Sequence, residues 1–584
     1  QHWYGDFLKF ARDKEYDNLF TFPGLQTAEP VIIRSEMALR AASGSRFFID
    51  IADQTLTSQS VPRVPIGERN EIFSNLAPTA RLNGEVSLSG EELDVFLRYP
   101  HPGGGEQSSA WLDFIQARPR MDLRYLNEPT RFRDTRSLGQ ESTTFTLSAV
   151  SSGVEIWDIT NALQPQRQEA NNNGSSLVFG VSTQDILREF IAFNPNDELL
   201  RAEVVGSINN QNLHALTGKD MIIIYHPDFQ EPAERIATHR RDFSGLEVAL
   251  VPTNEVYNEF SSGRVSPTAI RDFAKCIFER DQRLGYLLLV GDGSFDSRDL
   301  YGFGANFVPV YQRDQNHELF GFPADDFFAI FENEPGDDPL ANDLTISIGR
   351  LPVKTLDEAN VVVNKIIDYD INPEYLLDWR TRMIFLGDDE DGATHSDDAE
   401  QAADVVRELR PEFNLTKLFF DLFPQESTPA GDRFPIVEEE LDRTIERGAV
   451  ITTYLGHGGP RGWAQERVLD IPQIQNWDNA DRLSIFLTAT CTFGDYDNGA
   501  FVSAGEELLL TSRGGAVALM TTTRPVFASR NSALTNRSLT QLMEQDAEGN
   551  WSRLGDVVRV AKNALSNPSS FDNERKFMLM GDPA

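Results

Sequence analysis

From about residue 216 onward, short continuous apolar runs alternate with amphipathic helical patterns, and this alternation leaves the second part of the chain very few folds. The runs MIIIYH (221–226), LEVALVPT (246–253), YLLLVGD (286–292), MIFLGDD (383–389), AVITTYLGH (449–457), IFLTATC (485–491) and AVALMTT (516–522) have the length of buried strands. Between several of them lie the helical patterns DEANVVVNKIIDYD (357–370), SDDAEQAADVVREL (396–409), FPIVEEELDRTIERG (434–448) and RLGDVVRVAKNALS (553–566). Strands that alternate with helices pair in parallel, so this part is expected to hold parallel sheets with helices on both faces.

Upstream the pattern changes. EVSLSGEELDVFLRYP (85–100), STTFTLSAV (142–150), VEIWDIT (154–160) and SSLVFGVS (175–182) alternate polar with apolar residues between turns rich in Gly, Pro and Asn, which predicts an antiparallel β region of sandwich or barrel type. The polar tracts PQRQEANNNGSS (165–176) and HPGGGEQSS (101–109) read as loop tips, and no repeat of solenoid period occurs. A chain of 584 residues has room for three or four domains. The expected division is an N-terminal β-rich part at 1–215, an α/β subdomain at 216–376 and a second at 377–584, joined by INPEYLLDWR (371–380).

Two residues stand where such sheets carry their chemistry. His457 in YLGHGGPRGW (454–463) and Cys491 in LSIFLTATCTF (483–493) each directly follow a buried-strand run, at the carboxyl end where open α/β sheets place functional groups. A free thiol titrates near about pH 8.5, so only a few per cent is thiolate at neutrality; an adjacent imidazole lowers that value and holds the proton for a leaving amine. The pairing points to a cysteine nucleophile with His457 as its base. The glycines of GHGG let the backbone pass close to a substrate, and the N–H groups of Gly458 and Cys491 are expected to form an oxyanion hole. Cys276 has a different setting. It lies in a helical pattern with Ile270, Phe273, Ile277 and Phe278 near one face and reads as packing.

Charge excludes some partners. With 90 acidic against 53 basic residues the formal net charge is -37 and no basic stripe offsets it, so nucleic acid is excluded and an anionic membrane surface disfavoured. Two cysteines in unlike settings provide no disulfide framework. No apolar run reaches the roughly 18 residues of a spanning helix, and no signal peptide opens the chain, so attachment to a membrane is expected to come from elsewhere. Gly291, Asp292, Gly293 and Asp296 follow a buried run but lack both the GxGxxG spacing and a Walker lysine; they read as a structural turn, with a calcium or substrate-edge role as the alternative. Asp325 with Asp326 and Asp397 with Asp398 invite calcium by charge, yet no EF-hand spacing assigns ligands.

A hydrophobic block ending in His-Gly, followed by one ending in Ala-x-Cys, here GAVITTYLGHGG and LSIFLTATC, resembles the caspase, legumain and gingipain clan of cysteine peptidases, and the gingipain branch above all. YLLLVGDGSFDSRD (286–299), PADDFFAIF (323–331), ISIGRLPVKTLDEANVVVNKIIDY (346–369), RMIFLGDDEDGATH (382–395), FMLMGDPA (577–584), VYNEFSSGRVSPTAIRDF (256–273) and AWLDFIQARPR (110–120) are similar to the sortases of the Bacteroidota type IX secretion system. The resemblance implies N-terminal antiparallel β domains followed by a caspase- and gingipain-like α/β catalytic domain of two parallel-sheet subdomains, with further β-domains after residue 584. It implies Cys491 as nucleophile, His457 as base and an acidic residue after the strand RMIFLGDD; Asp389 matches that position, with Asp388 and Glu390 one residue away. The acidic specificity residue of arginine-specific gingipains has no clean match in HSDDAEQ (395–401).

The same resemblance implies a peripheral protein on the outer face of the outer membrane. Such a protein cleaves the C-terminal secretion signal of cargo proteins through a thioester and passes them to anionic lipopolysaccharide, in company with outer-membrane secretion components. The chemistry requires no cofactor, and calcium is the metal that gingipain relatives bind. A secreted degradative endopeptidase is the second reading, and a catalytically idle secretion scaffold the third.

Overall fold

The computed structural model describes residues 4–68, 71–100, 108–313, 317, 319–332, 336–389, 391–429, 431–565 and 571–584. These residues form two compact units, one up to Asn209 and one from Asn210 onward.

In the first unit, Phe7–Leu8, Ser109–Arg118, Val31–Arg40 and Thr79–Val86 pair in that order, and Asp13–Thr21, Glu92–Arg98, Phe48–Ile51 and Gln54–Thr57 form a second sheet. Every pairing is antiparallel. Leu93, Val95 and Leu97 alternate with exposed or half-buried neighbours and join Val31, Ile33 and Met37 in one apolar core, as side chains of period two require. Two smaller antiparallel sheets follow. Gln140–Ser148, Ser176–Thr183 and Asn171–Asn172 make one, and Gln166–Gln168, Glu155–Asp158, Phe190–Phe193 and Thr130–Phe132 the other, around Phe145, Leu147, Ile156, Phe179 and Phe190. The tract at 165–176, expected as a loop tip, thus contributes two short strands. Backbone pairing of Ile156 with Gln168 needs no apolar side chain on the outer strand, so an amphipathic pattern never announced it. Of the second expected tip, residues 101–107 lie outside the described ones.

The second unit is built on a single ten-stranded sheet. We number its strands in chain order: β1 Met221–Tyr225, β2 Val248–Pro252, β3 Tyr286–Val290, β4 Ser347–Leu351, β5 Arg382–Gly387, β6 Asn414–Phe419, β7 Ile451–Leu455, β8 Ser484–Ala489, β9 Ala516–Thr522 and β10 Phe577–Met580. Their spatial order is β2-β1-β3-β4-β10-β9-β8-β7-β5-β6, and all neighbours run parallel except β9 and β10. The two expected sets of parallel strands are both present, and β10 joins them edge to edge.

Successive strand residues point to opposite faces, and both faces are covered. Ile222, Ile224, Leu287 and Leu289 pack with Ile270, Phe273 and Ile277 of helix Pro267–Asp281, whereas Ile223, Tyr225, Leu288 and Val290 pack with Ala233, Ile236 and Ala237 of helix Gln230–Asp242. This double burial explains the continuous apolar runs. Cys276 sits half-buried on helix Pro267–Asp281.

The turn after β3 is structural in its contacts. Gly291 has φ 140°, and a side chain at Gly293 would meet Val310 Cγ2 at 2.2 Å. Asp292, fully buried, lies 3.3 Å from Lys354 Nζ, which also reaches Glu506.

Candidate active site

Three neighbouring strands deliver the site. β5, β7 and β8 are adjacent and in register, with Gly387 opposite Leu455 and Leu455 opposite Ala489. The chain leaves the sheet after each of these residues, so Asp388, Asp389 and Asp391, Gly456 to Gly459, and Thr490 with Cys491 stand on adjoining loops at one carboxyl edge. Parallel strands lie about 4.8 Å apart. His457 and Cys491 each stand two residues beyond register partners, which sets their backbones side by side.

The backbone of His457 is clamped. Its N–H donates to Asp388 Oδ2 at 2.8 Å, and its carbonyl accepts from Tyr454 Oη at 2.6 Å and from Ala464 N at 2.9 Å. Tyr454 is itself buried and stacked on Trp463, with ring centroids 4.3 Å apart. Gly456 makes this packing feasible, because any Cβ there would lie 2.5 Å from both Asp388 Cβ and Tyr454 Oη. Burial raises the Asp388 carboxyl to about 6, against the opposing pull of the His457 N–H.

The imidazole Nε2 of His457 lies 3.0 Å from Asp391 Oδ2. A carboxylate only accepts, so this bond places the ring proton on Nε2 and leaves the lone pair of Nδ1 for proton transfer. His395, on the first turn of helix Thr394–Leu409, packs edge to face against the ring at 5.2 Å. Burial, and then the neighbouring His457, hold His395 below the usual histidine range.

Cys491 is half-buried, and its Sγ lies 3.9 Å from the Val526 carbonyl. Thr492, the next residue, has φ 55°, a left-handed conformation that non-glycine residues adopt only where the surroundings enforce it. The Thr522 hydroxyl bonds the Thr490 carbonyl just before the turn. Lys576, which immediately precedes β10, is buried near the thiol: its Nζ donates to the Pro525 carbonyl at 2.7 Å and faces the rings of Phe322 and Phe527. Burial lowers this lysine to about 8, and the charge of Cys491 opposes the shift.

The oxyanion candidates have a defined backbone setting. Gly458 pairs with Trp463 and Gly459 with Gly462 in a tight hairpin. Because Ala464 N bonds His457 O, the alternation of antiparallel ladders makes Gly458 and Trp463 the pair without mutual bonds, so the Gly458 N–H points away from its partner strand. A Cβ at Gly458 would stand 2.5 Å from Thr490 Oγ1, next to the nucleophile.

The acidic loop after β5 divides its roles. Asp389 does not bond the imidazole; its Oδ1 is buried without a partner, and its carboxylate clusters with those of Asp388 and Glu466. That all-oxygen set has the donor chemistry of a calcium site. Glu390 lies outside the described residues. Asp391, His395 and His457 form a second ligand-bearing group. Asp397 and Asp398 lie on the first helical turns that follow, where burial raises Asp398 and Ser532 bonds it. The acidic pair at 325–326 is neutralised internally: Asp325 is bonded by both Nε and Nη2 of Arg350, and Asp326 by Lys562 and Arg575.

Beyond Cys491, Arg524 bridges Asp495 and Asp497, and Gln312 donates to Asp497 at 2.6 Å. Burial raises Asp495 to about 6, with Arg524 opposing. Asp391 and His395 stand inside the motif RMIFLGDDEDGATH, but nothing in its spacing marks which acid turns inward. Lys576 carried no sequence signal, because its proximity to Cys491 arises only from sheet order.

A thiol and an imidazole at adjoining strand ends of a helix-covered parallel sheet define the class as a cysteine peptidase of caspase-like architecture. The family model described as Peptidase family C25 matches residues 214–584, and the chain belongs to that family. Among solved structures, it is similar over 100% of its length to dimeric latent PorU from Porphyromonas gingivalis, with 22% identity, a TM-score of 0.65 and 50% of that chain covered. It is also similar to the Arg-specific cysteine proteinase gingipain R, with 17% identity, a TM-score of 0.50, and 62% of this chain and 77% of that one covered. The complex of Porphyromonas gingivalis RgpB pro- and mature domains gives 16% identity, a TM-score of 0.50, and coverage of 63% and 79%. The chain thus spans half the length of the PorU chain it matches. No curated protein matches it. Among the described residues, no helix is long and apolar enough to cross a membrane.

Proposed function

We propose that this chain is the catalytic part of a cell-surface sortase that removes the C-terminal secretion signal from cargo proteins and joins them to an amine of anionic lipopolysaccharide. The observation that carries the catalytic reading is the in-register exit of His457 and Cys491 from adjacent parallel strands. The sortase reading draws its support from the motifs shared with type IX sortases and from a likeness to PorU that includes the N-terminal β unit, where the likeness to gingipain R covers 62% of the chain.

In this mechanism His457 Nδ1 takes the thiol proton as Cys491 Sγ attacks the scissile carbonyl. The N–H groups of Gly458 and Cys491 receive the tetrahedral oxyanion, and such donors contribute about 100- to 1000-fold each in well-studied hydrolases. Collapse breaks the C–N bond, His457 returns the proton to the departing amine, and the cargo remains as a thioester on Sγ. His457 then deprotonates the incoming nucleophile. Water gives hydrolysis, and a glycolipid amine gives the transferred product, with the thiol restored in either case. Asp391 keeps the ring in the required tautomer throughout.

Mass spectrometry of cargo termini in cells carrying the intact chain or Cys491→Ala tests the proposal. A glycolipid mass on the new terminus is expected with the intact chain, and uncut cargo with the variant. Normal processing by Cys491→Ala would leave only a scaffold role. A free carboxyl terminus on cargo, together with rapid turnover of unrelated peptides, would favour the degradative peptidase to which gingipain R points.

A further inference from the structure

Asp391, His395 and His457 bring three ligating atoms to one point. Asp391 Oδ2 lies 3.0 Å from His457 Nε2 and 3.6 Å from His395 Nε2, and one ligand atom from each of the three residues falls within 4.8 Å of the others. A tetrahedral zinc ion with bonds of about 2.0–2.2 Å holds its ligand atoms about 3.4 Å apart. The two measured separations bracket that value.

A second observation points to the same place independently. His395 is only 5% exposed, and its Nε2 has no hydrogen-bond partner. Buried polar atoms are nearly always bonded, and the Asp391 oxygen at 3.6 Å is too distant to serve. A cation held between the two imidazoles and the carboxylate satisfies this nitrogen. Two imidazoles and one carboxylate suit zinc and its first-row neighbours, whereas calcium takes oxygen ligands. The way in is open, since the side chains of Asp391 and His457 are 61% and 43% exposed, and solvent can supply a fourth ligand.

We infer that Asp391, His395 and His457 form a site for a zinc-class transition metal ion, and that its occupation disables the imidazole as a base. The free ring carries its proton on Nε2 and offers the lone pair of Nδ1. A metal ion takes the Nε2 lone pair, the proton passes to Nδ1, and the ring has no lone pair left for the thiol proton of Cys491; nothing is oxidised or reduced. This last consequence rests on the catalytic reading above. The metal site itself does not.

The test is calorimetric titration of the purified full chain with Zn2+, paired with visible spectroscopy using Co2+ as a probe. One site per chain is expected, with the d–d bands of tetrahedral nitrogen and oxygen coordination and no thiolate-to-cobalt charge-transfer band. Since loss of even an outer-shell partner commonly costs about 10- to 100-fold in affinity, His395→Gln is expected to weaken Zn2+ by at least about tenfold. Cys491→Ala is expected to bind as the intact chain does. Unweakened binding by His395→Gln, weakened binding by Cys491→Ala or a charge-transfer band would overturn the site. Should His395→Gln fail to fold, the exposed Asp391→Asn carries the same expectation. Iodoacetamide labelling of Cys491 in metal-free protein separates the two ideas: an inert thiol counts against the peptidase, while absent zinc binding beside a reactive thiol counts against the metal site alone.

Discussion

Asp391 Oδ2 and His457 Nε2 face each other at 3.0 Å, across the gap between the chain segments that leave β5 and β7. The contact fixes which ring nitrogen is left to work, and it separates Asp391 from Asp388, whose carboxylate holds the backbone of the same histidine instead.

The first prediction follows from that division. Loss of an orienting carboxylate in a hydrolase triad costs up to about 10,000-fold, so Asp391→Ala is expected to lower kcat/KM for cleavage of a peptide substrate by about 100-fold or more. Asp389→Ala is expected to cost less than about tenfold, because its carboxylate does not touch the ring. Equal losses in the two variants would refute the assignment.

Gly458 is tested by adding one carbon. In Gly458→Ala the new methyl group must push against Thr490 Oγ1, 2.5 Å away, and so displace the N–H offered to the oxyanion. Turnover is expected to fall by about 100-fold, while iodoacetamide still labels Cys491. A variant with wild-type turnover would remove Gly458 from the oxyanion hole.

Lys576 supports the thiolate by its charge. Replacement by Met is expected to slow alkylation of Cys491 at pH 7 by about three- to tenfold and to move the profile toward higher pH, and Arg to restore it. Stability provides an independent reading. The folded-state value near 8 lies below the unfolded value of 10.5, so between those limits the unfolded chain binds more protons and this residue's contribution to stability rises with pH. As pH falls from 10.5 toward 8 that contribution is lost, and Lys576→Met is expected to flatten the slope in urea titrations across this window.

Arg350 is expected to be structural. It is fully buried, bonds Asp325 through two nitrogens and donates to the carbonyls of Gly291 and Val308. Breaking such a pair from one side costs about 3–5 kcal/mol, so Arg350→Met is expected to melt well below the parent, and the double variant with Asp325→Leu to recover part of the loss. Unchanged melting of the single variant would contradict the buried pairing.

How much of this was legible beforehand depended on burial. Strands covered on both faces, such as Met221–Tyr225 and Ala516–Thr522, were visible as unbroken apolar runs. Three others escaped. Ser347–Leu351 carries the buried Arg350, whose partner Asp325 lies 25 residues away in the chain; Asn414–Phe419 is an edge strand, half-exposed over much of its length; Phe577–Met580 has four residues. The candidate nucleophile and base were readable because strand ends are local features. The acid that faces the imidazole was not, because choosing among Asp388, Asp389, Glu390 and Asp391 depends on how one loop folds back onto its neighbour.

The placement of β10 bears on how such a protein comes into being. The last strand in the sequence is threaded into the middle of the sheet, between β4 and β9, and Lys576 comes with it. Without β10 in place the two sets of parallel strands would present bare edges to each other, and the thiol would lack the neighbouring ammonium. Docking of this segment completes the sheet and the nucleophile's surroundings in one event, which ties reactivity to completed folding.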